Sequence, residues 1–175
     1  MAYKTLTYER DGRIARITFD RPDRLNAITE DTPAEIEAAV GAANADDRVH
    51  VIVLAGNGPA FCSGYDLKEY AESKTPLLQE EMPWDPMRDY AMMKGYTEKF
   101  MAIWRSYKPV ICKVHGYAFA GGSDIALTSD IIVMAEDARI GYPPARAWGC
   151  PTTAMWVYRV GAERAKRMLL TGDLI

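Results

Sequence analysis

Three short apolar runs, residues 49–55, 110–114 and 130–135, set the terms on which this chain folds. Runs of this length, apolar but for His50, Lys113 and Asp130, read as strands buried on both faces, which need helices to cover them. They are far too short to cross a bilayer. The first breaks at Gly56-Asn57-Gly58-Pro59 and the second at Gly116, so each strand feeds a glycine turn. Ahead of them, residues 5–9 and 14–20 alternate apolar and polar residues around Asp11-Gly12, a hairpin signal. Thr32-Pro33-Ala34-Glu35 then reads as a capping box with proline at the first helical position, followed by Ile36, Ala39, Val40 and Ala43 at helical spacing. Strand, helix, buried strand, glycine turn is an α/β order.

The rest of the chain repeats that grammar. A short helix is expected after Leu67, and a loop over residues 72–85 punctuated by Pro76 and Pro83. A longer helix should run to about Trp104, with Met93, Phe100, Met101 and Trp104 on one face. Residues 116–122 read as a small-residue turn and 123–128 as a helix. Pro143 and Pro144 mark another loop, and a helical region opens at Pro151 and runs to Leu170. With 175 residues, no repeat and no linker, residues 1–175 are read as one α/β domain. Thr171-Gly172-Asp173-Leu174-Ile175 looks like the start of an element, so the expectation is a core whose C-terminal helices are missing.

Charge narrows the partners. Twenty-one basic residues against 24 acidic ones leave a net charge of −3, without the basic field that nucleic acid requires. Cys62, Cys112 and Cys150 lie far apart, with only His50 and His115 to help, so neither a disulfide framework nor a metal site is expected. Sparse cysteine and a polar start fit a cytoplasmic setting.

Two segments carry the chemistry. Phe61-Cys62-Ser63-Gly64-Tyr65 and Ala118-Phe119-Ala120-Gly121-Gly122-Ser123 each follow a buried strand and place small residues where a helix begins. N–H groups there lack intrahelical partners and sit at the positive end of the dipole. Two such loops aimed at one point make an oxyanion hole from main-chain amides. Ordinary strand-to-helix turns give the same pattern, and on the residues alone both readings stand.

Five stretches resemble the crotonase (enoyl-CoA hydratase/isomerase) superfamily, in family order. They are Arg21-Pro22-Asp23-Arg24-Leu25-Asn26-Ala27-Ile28, Phe61 through Leu67, Lys108 through Gly116, Ala120 through Leu127, and Asp130-Ile131. The resemblance implies a spiral of ββα units, assembly as a homotrimer or hexamer, and an acyl-CoA thioester substrate used in fatty acid metabolism. Coenzyme A then enters as part of the substrate, and no permanent cofactor is implied. It also assigns roles. The oxyanion-hole amides fall on Tyr65 and Gly121. Arg24, Leu25 and Ala27 match the CoA-binding segment, and Ser63, Asp66, Leu67 and Lys68 match positions bordering adenine and pantetheine. Tyr117, Tyr142, Trp148 and Pro144 are candidate pocket residues, and residues 72–89, with Met82, Trp84 and Met87, a candidate cover for the acyl group.

The match departs from the family's hydratases at the acid/base positions. Those enzymes use two glutamates; here the first position holds Asp124 and the second Pro144. Proline transfers no proton, so hydration by a carboxylate pair is not expected. An aspartate reaches about 1.5 Å less far than glutamate. What the resemblance implies is an enzyme of the hydratase/isomerase type, with Asp124 as acid or base. The alternatives are a CoA-thioester-binding protein with little turnover, or a hydrolase on the same scaffold.

Overall fold

The computed structural model describes residues 3–70, 83, 85–147, 149 and 151–175. Its sheet begins with a hairpin, β1 (Leu6–Asp11) and β2 (Ile14–Phe19), turning at Asp11-Gly12 as the alternation predicts. Ala15, Ile17 and Phe19 point inward from β2 and pack beneath α1 (Asp31–Ala45). That helix buries Ile36, Ala39, Val40 and Ala43, the four residues at helical spacing. The capping box does not form. The helix opens two residues earlier than expected, at Asp31, and Glu35 reaches instead to the Lys4 and Thr5 amides at 2.7 and 2.9 Å. A carboxylate with two free main-chain donors across a groove is better used there than on its own helix end.

The chain then winds in turns of one plan. Each turn lays a strand in a large sheet, a second strand or extended segment in a smaller layer, and a helix outside. The large sheet has the order β1-β2-β3-β4-β6, with β3 (Val51–Gly56), β4 (Val110–Val114) and β6 (Ile131–Met134) parallel to β2. The smaller layer pairs β5 (Tyr117–Phe119) with β7 (Arg139–Gly141) and is extended by bridges Ile28–Tyr65, Cys62–Ala118 and Gly141–Leu174. The helices are α1, then α2 (Leu67–Tyr70) with α3 (Pro86–Trp104), then α4 (Gly121–Leu127), then α5 (Met155–Val160) with α6 (Ala162–Thr171). Because every turn repeats the plan, equivalent loops of successive turns come to lie side by side.

Several expectations change. The stretch from 116 to 122 holds β5, because its residues find ladder partners in β7, a strand too short to show in the sequence. The run 130–135 forms the sheet's edge: Ile131 and Val133 are 53% and 54% exposed, so this strand is not buried. Trp104 turns outward, and Tyr96, Phe100 and Ile103 form the buried stripe of α3. The helical region after Pro151 breaks at Gly161, whose φ of 80° a residue with a Cβ rarely adopts. No helix among the described residues is long and apolar enough to span a membrane.

Candidate active site

The two chemistry-bearing loops occupy equivalent places in the second and third turns, and the fold sets them against each other. The bridge between Cys62 and Ala118 is made by Cys62 N to Tyr117 O (2.9 Å) and Phe119 N to Cys62 O (3.0 Å). A Cβ on Gly64 would meet the Ala120 Cβ at 2.8 Å, and one on Gly122 would meet the Cys62 carbonyl at 2.5 Å. Glycine is required at both positions for the loops to approach so closely.

The register decides where the amides point. Ile28 N donates to Gly64 O (2.8 Å) and Asp66 N to Ile28 O (2.9 Å), so residues 64 and 66 face the first turn. In a parallel ladder the intervening residue faces the other way, which directs the Tyr65 N–H toward the third turn. There, Ala120 stands at φ 50° and ψ −124°, a strained position for alanine, and spends its own N–H on Gly141 O (3.1 Å). That leaves the next amide, Gly121, at the very start of α4. Neither the Tyr65 nor the Gly121 N–H has a hydrogen-bond partner among the described residues.

Ser63, Tyr65 and Ala120 line a cavity of about 670 Å³, largely apolar, whose far wall is Tyr90, Met93, Lys94, Thr97 and Glu98 of α3. Tyr142, Pro144 and Thr152 close it from the fourth turn. Gly121 is buried just behind this wall: a Cβ there would meet the Tyr65 ring at 2.9 Å and Ile28 Cδ1 at 2.7 Å. A second cavity of about 380 Å³ shares Ser63, Tyr65 and Leu67 with the first, and adds Asp23, Arg24, Leu25, Ala27, Asp66 and Lys68. The CoA-segment candidates are thus brought together beside the acyl-pocket candidates. Tyr117 is not among them: it is 44% exposed and its ring lies tilted against that of Phe119, with centroids 4.9 Å apart. The Met82, Trp84 and Trp148 candidates, and most of the proposed cover, lie outside the described residues; Met87 is in α3, 64% exposed.

Two buried aspartates flank these cavities. Asp66 accepts from Arg21 at 3.0 Å and Arg24 at 2.8 Å. Burial pushes its carboxyl up, but the two guanidiniums outweigh that and hold it below the ordinary value. Arg24 is therefore engaged within the chain as well as exposed to the second cavity. Asp124, in the first turn of α4, is 3% exposed and has neutral donors: Trp156 Nε1 at 2.8 Å, the Thr152 main-chain N–H, and Thr152 Oγ1 at 3.4 Å. Burial, only partly offset by those bonds, pushes it up to about 7.

The residues that sequence reasoning missed are supporting ones. Asn26, at φ 54°, fixes the loop over residues 21–28 by donating to the Asn57 and Ala60 carbonyls, both at 2.8 Å, and accepting from Arg21 N. An asparagine between two turn residues is a fair signal for such a conformation. Trp156 and Thr152 carry no signal, since nothing in their neighbourhood says they will reach a residue some 30 positions earlier. Ser123 donates to the Ala120 and Gly141 carbonyls and is no free nucleophile. Burial drives the Cys62 thiol up to about 12.

The comparisons with known proteins bear on the family and the fold. The family described as Enoyl-CoA hydratase/isomerase matches residues 9–175. The chain belongs to that family. It is similar to an enoyl-CoA hydratase of Mycobacterium smegmatis of known structure, at 46% identity and a TM-score of 0.89, over 98% of this chain and 61% of that one. An enoyl-CoA hydratase/isomerase from Xanthobacter autotrophicus Py2 superposes with a TM-score of 0.88 at 32% identity, over 98% and 61% of the two chains. Among curated proteins, a probable enoyl-CoA hydratase of Rhizobium meliloti is 32% identical over all of this chain and 64% of its own length. The chain thus spans about three fifths of such relatives. The spiral of strand-strand-helix turns is the crotonase fold that the resemblance implied.

Proposed function

We propose that this chain carries the acyl-CoA site of an enzyme of the enoyl-CoA hydratase/isomerase type. The observation that supports the reading most is the pair of unpartnered amides at Tyr65 and Gly121, on facing loops beside an apolar cavity. Backbone N–H groups enclosed by a fold are nearly always paired, so two left open together call for an oxygen from outside. A thioester carbonyl supplies one, and its negative charge grows as the α-carbon loses a proton, which is when such donors act most strongly. In this reading the second cavity takes the CoA portion along Arg24, Leu25, Ala27, Ser63, Asp66, Leu67 and Lys68. The first takes the acyl chain beneath Tyr142 and Pro144.

The acid/base inventory selects among reactions. Glu98 is the only carboxylate among the described residues lining the acyl cavity, and it pairs with Arg105 at 2.7 Å. Pro144 stands where a second acid would serve hydration. We therefore favour a reaction that moves one proton through Asp124, enolate formation with return at the α- or γ-carbon, over addition of water by two carboxylates. A binding protein with little turnover is the second reading, favoured by the same proline.

A panel of enoyl-, β-hydroxyacyl- and β-diketone-CoA esters separates them: consumption of one ester supports the enzyme, while binding of all without consumption supports the second reading. Gly121→Val should weaken acyl-CoA affinity at least tenfold in titration calorimetry, because its side chain displaces the Tyr65 ring and Ile28. Unchanged affinity would remove the Gly121 amide from the site.

A further inference from the structure

Asp124 is not itself at the cavity. It is 3% exposed, is absent from the lining, and is held on Oδ1 by the Trp156 indole at 2.8 Å. Tyr142, which does line the cavity, packs edge-on against Trp156 at 6.2 Å and helps fix the indole in place. An acid so enclosed needs an intermediary to reach a bound substrate. Among its partners only Thr152 touches both sides: the residue lines the cavity, and its Oγ1 lies 3.4 Å from Asp124 Oδ2. A hydroxyl both donates and accepts, so it passes a proton without holding charge. Such contacts are commonly long before substrate binds and shorten in the complex.

We propose that Thr152 is the proton-transfer residue between Asp124 and the substrate, a role that rests on the acyl-CoA reading above. In the forward step the substrate's α-carbon–hydrogen bond breaks and its electron pair moves into the thioester carbonyl, giving the enolate oxygen. The released proton goes to Thr152 Oγ1 while the hydroxyl's own proton goes to Asp124 Oδ2. The net change is one proton carried from carbon to carboxylate, and the reverse relay returns it. Trp156 is a positioning residue: its bond to Oδ1 leaves Oδ2 turned to Thr152.

The test follows the loss of tritium from α-tritiated butyryl-CoA into the solvent by scintillation counting, with binding measured in parallel. Thr152→Val should slow the loss roughly 100-fold with affinity unchanged, the scale of a missing proton-transfer group. Thr152→Ser, which restores the hydroxyl, should recover most of the rate. With the unaltered protein, the relay has one solvent-exchangeable proton in flight, so the loss should run slower in heavy water than in ordinary water. That measurement stands even if the valine variant fails to fold. Loss in Thr152→Val at the unaltered rate, or equal rates in the two solvents, overturns the relay and leaves the acyl-CoA reading intact. No loss at all from bound butyryl-CoA overturns the reading and the relay together.

Discussion

Asp66 and Asp124 sit on successive turns of the spiral, each almost fully buried at 4% and 3% exposure, yet they are opposite kinds of group. Asp66 is met by two guanidiniums and stays charged; Asp124 is met by an indole N–H and a hydroxyl and holds its proton up to about 7. Burial raises both, and Asp124, which lies deeper, the more. The charge of the partner sets the direction. A carboxylate with cationic partners is a clamp, here tying the loop that holds Arg21 and Arg24 to residue 66. One with neutral donors is poised to exchange a proton near neutral pH.

Substituting each aspartate breaks the comparison in a different quantity. Asp124→Asn should lower turnover on the active ester by roughly 100-fold or more, as loss of a general acid or base does, with the fold retained because Trp156 still has an acceptor. Steady-state kinetics beside circular dichroism checks this.

The pH dependence of stability comes next in size. Folded Asp124 keeps its proton to a higher pH than an unfolded aspartate does. Its contribution is therefore full below 3.8 and lost as pH rises through about 7, a swing of a few kcal/mol. Asp66 runs the other way: its contribution is present above the ordinary value and disappears as pH falls through its depressed one. Thermal melts across this range should show Asp124→Asn flattening the neutral side of the profile and Asp66→Asn the acid side. Asp66→Asn should also cost about 2 kcal/mol at pH 7 in urea unfolding, since two part-buried arginines lose their charge partner. The smallest change is Arg24→Lys, which keeps the charge but loses the planar guanidinium; about 1 kcal/mol or less is expected by the same method.

The contrast also shows what a sequence reveals. The hairpin, the stripe of α1, β3, β4 and the two glycine loops are local patterns, and all were legible because periodicity and turn chemistry act over a few residues. Glu35 misled because a carboxylate takes the best donors available, and these belonged to residues 4 and 5, across a groove. The edge position of β6 was hidden for a related reason: an apolar run has the same letters at the centre and the rim of a sheet. At the site, the loops were readable from their glycines, whereas the state of each aspartate was not. Arg21 lies 45 residues from Asp66 in the chain, and Trp156 lies 32 from Asp124. Only the spiral brings them together.

One measurement reaches the centre of this account: the rate of α-proton exchange on a bound acyl-CoA, followed from pH 5 to 9 in the unaltered protein and in Asp124→Asn. The account predicts a rate that climbs through an inflection near 7 as the aspartate sheds its proton, and a variant that is slow at every pH. A profile with no inflection in that range, or one the substitution leaves in place, would contradict it.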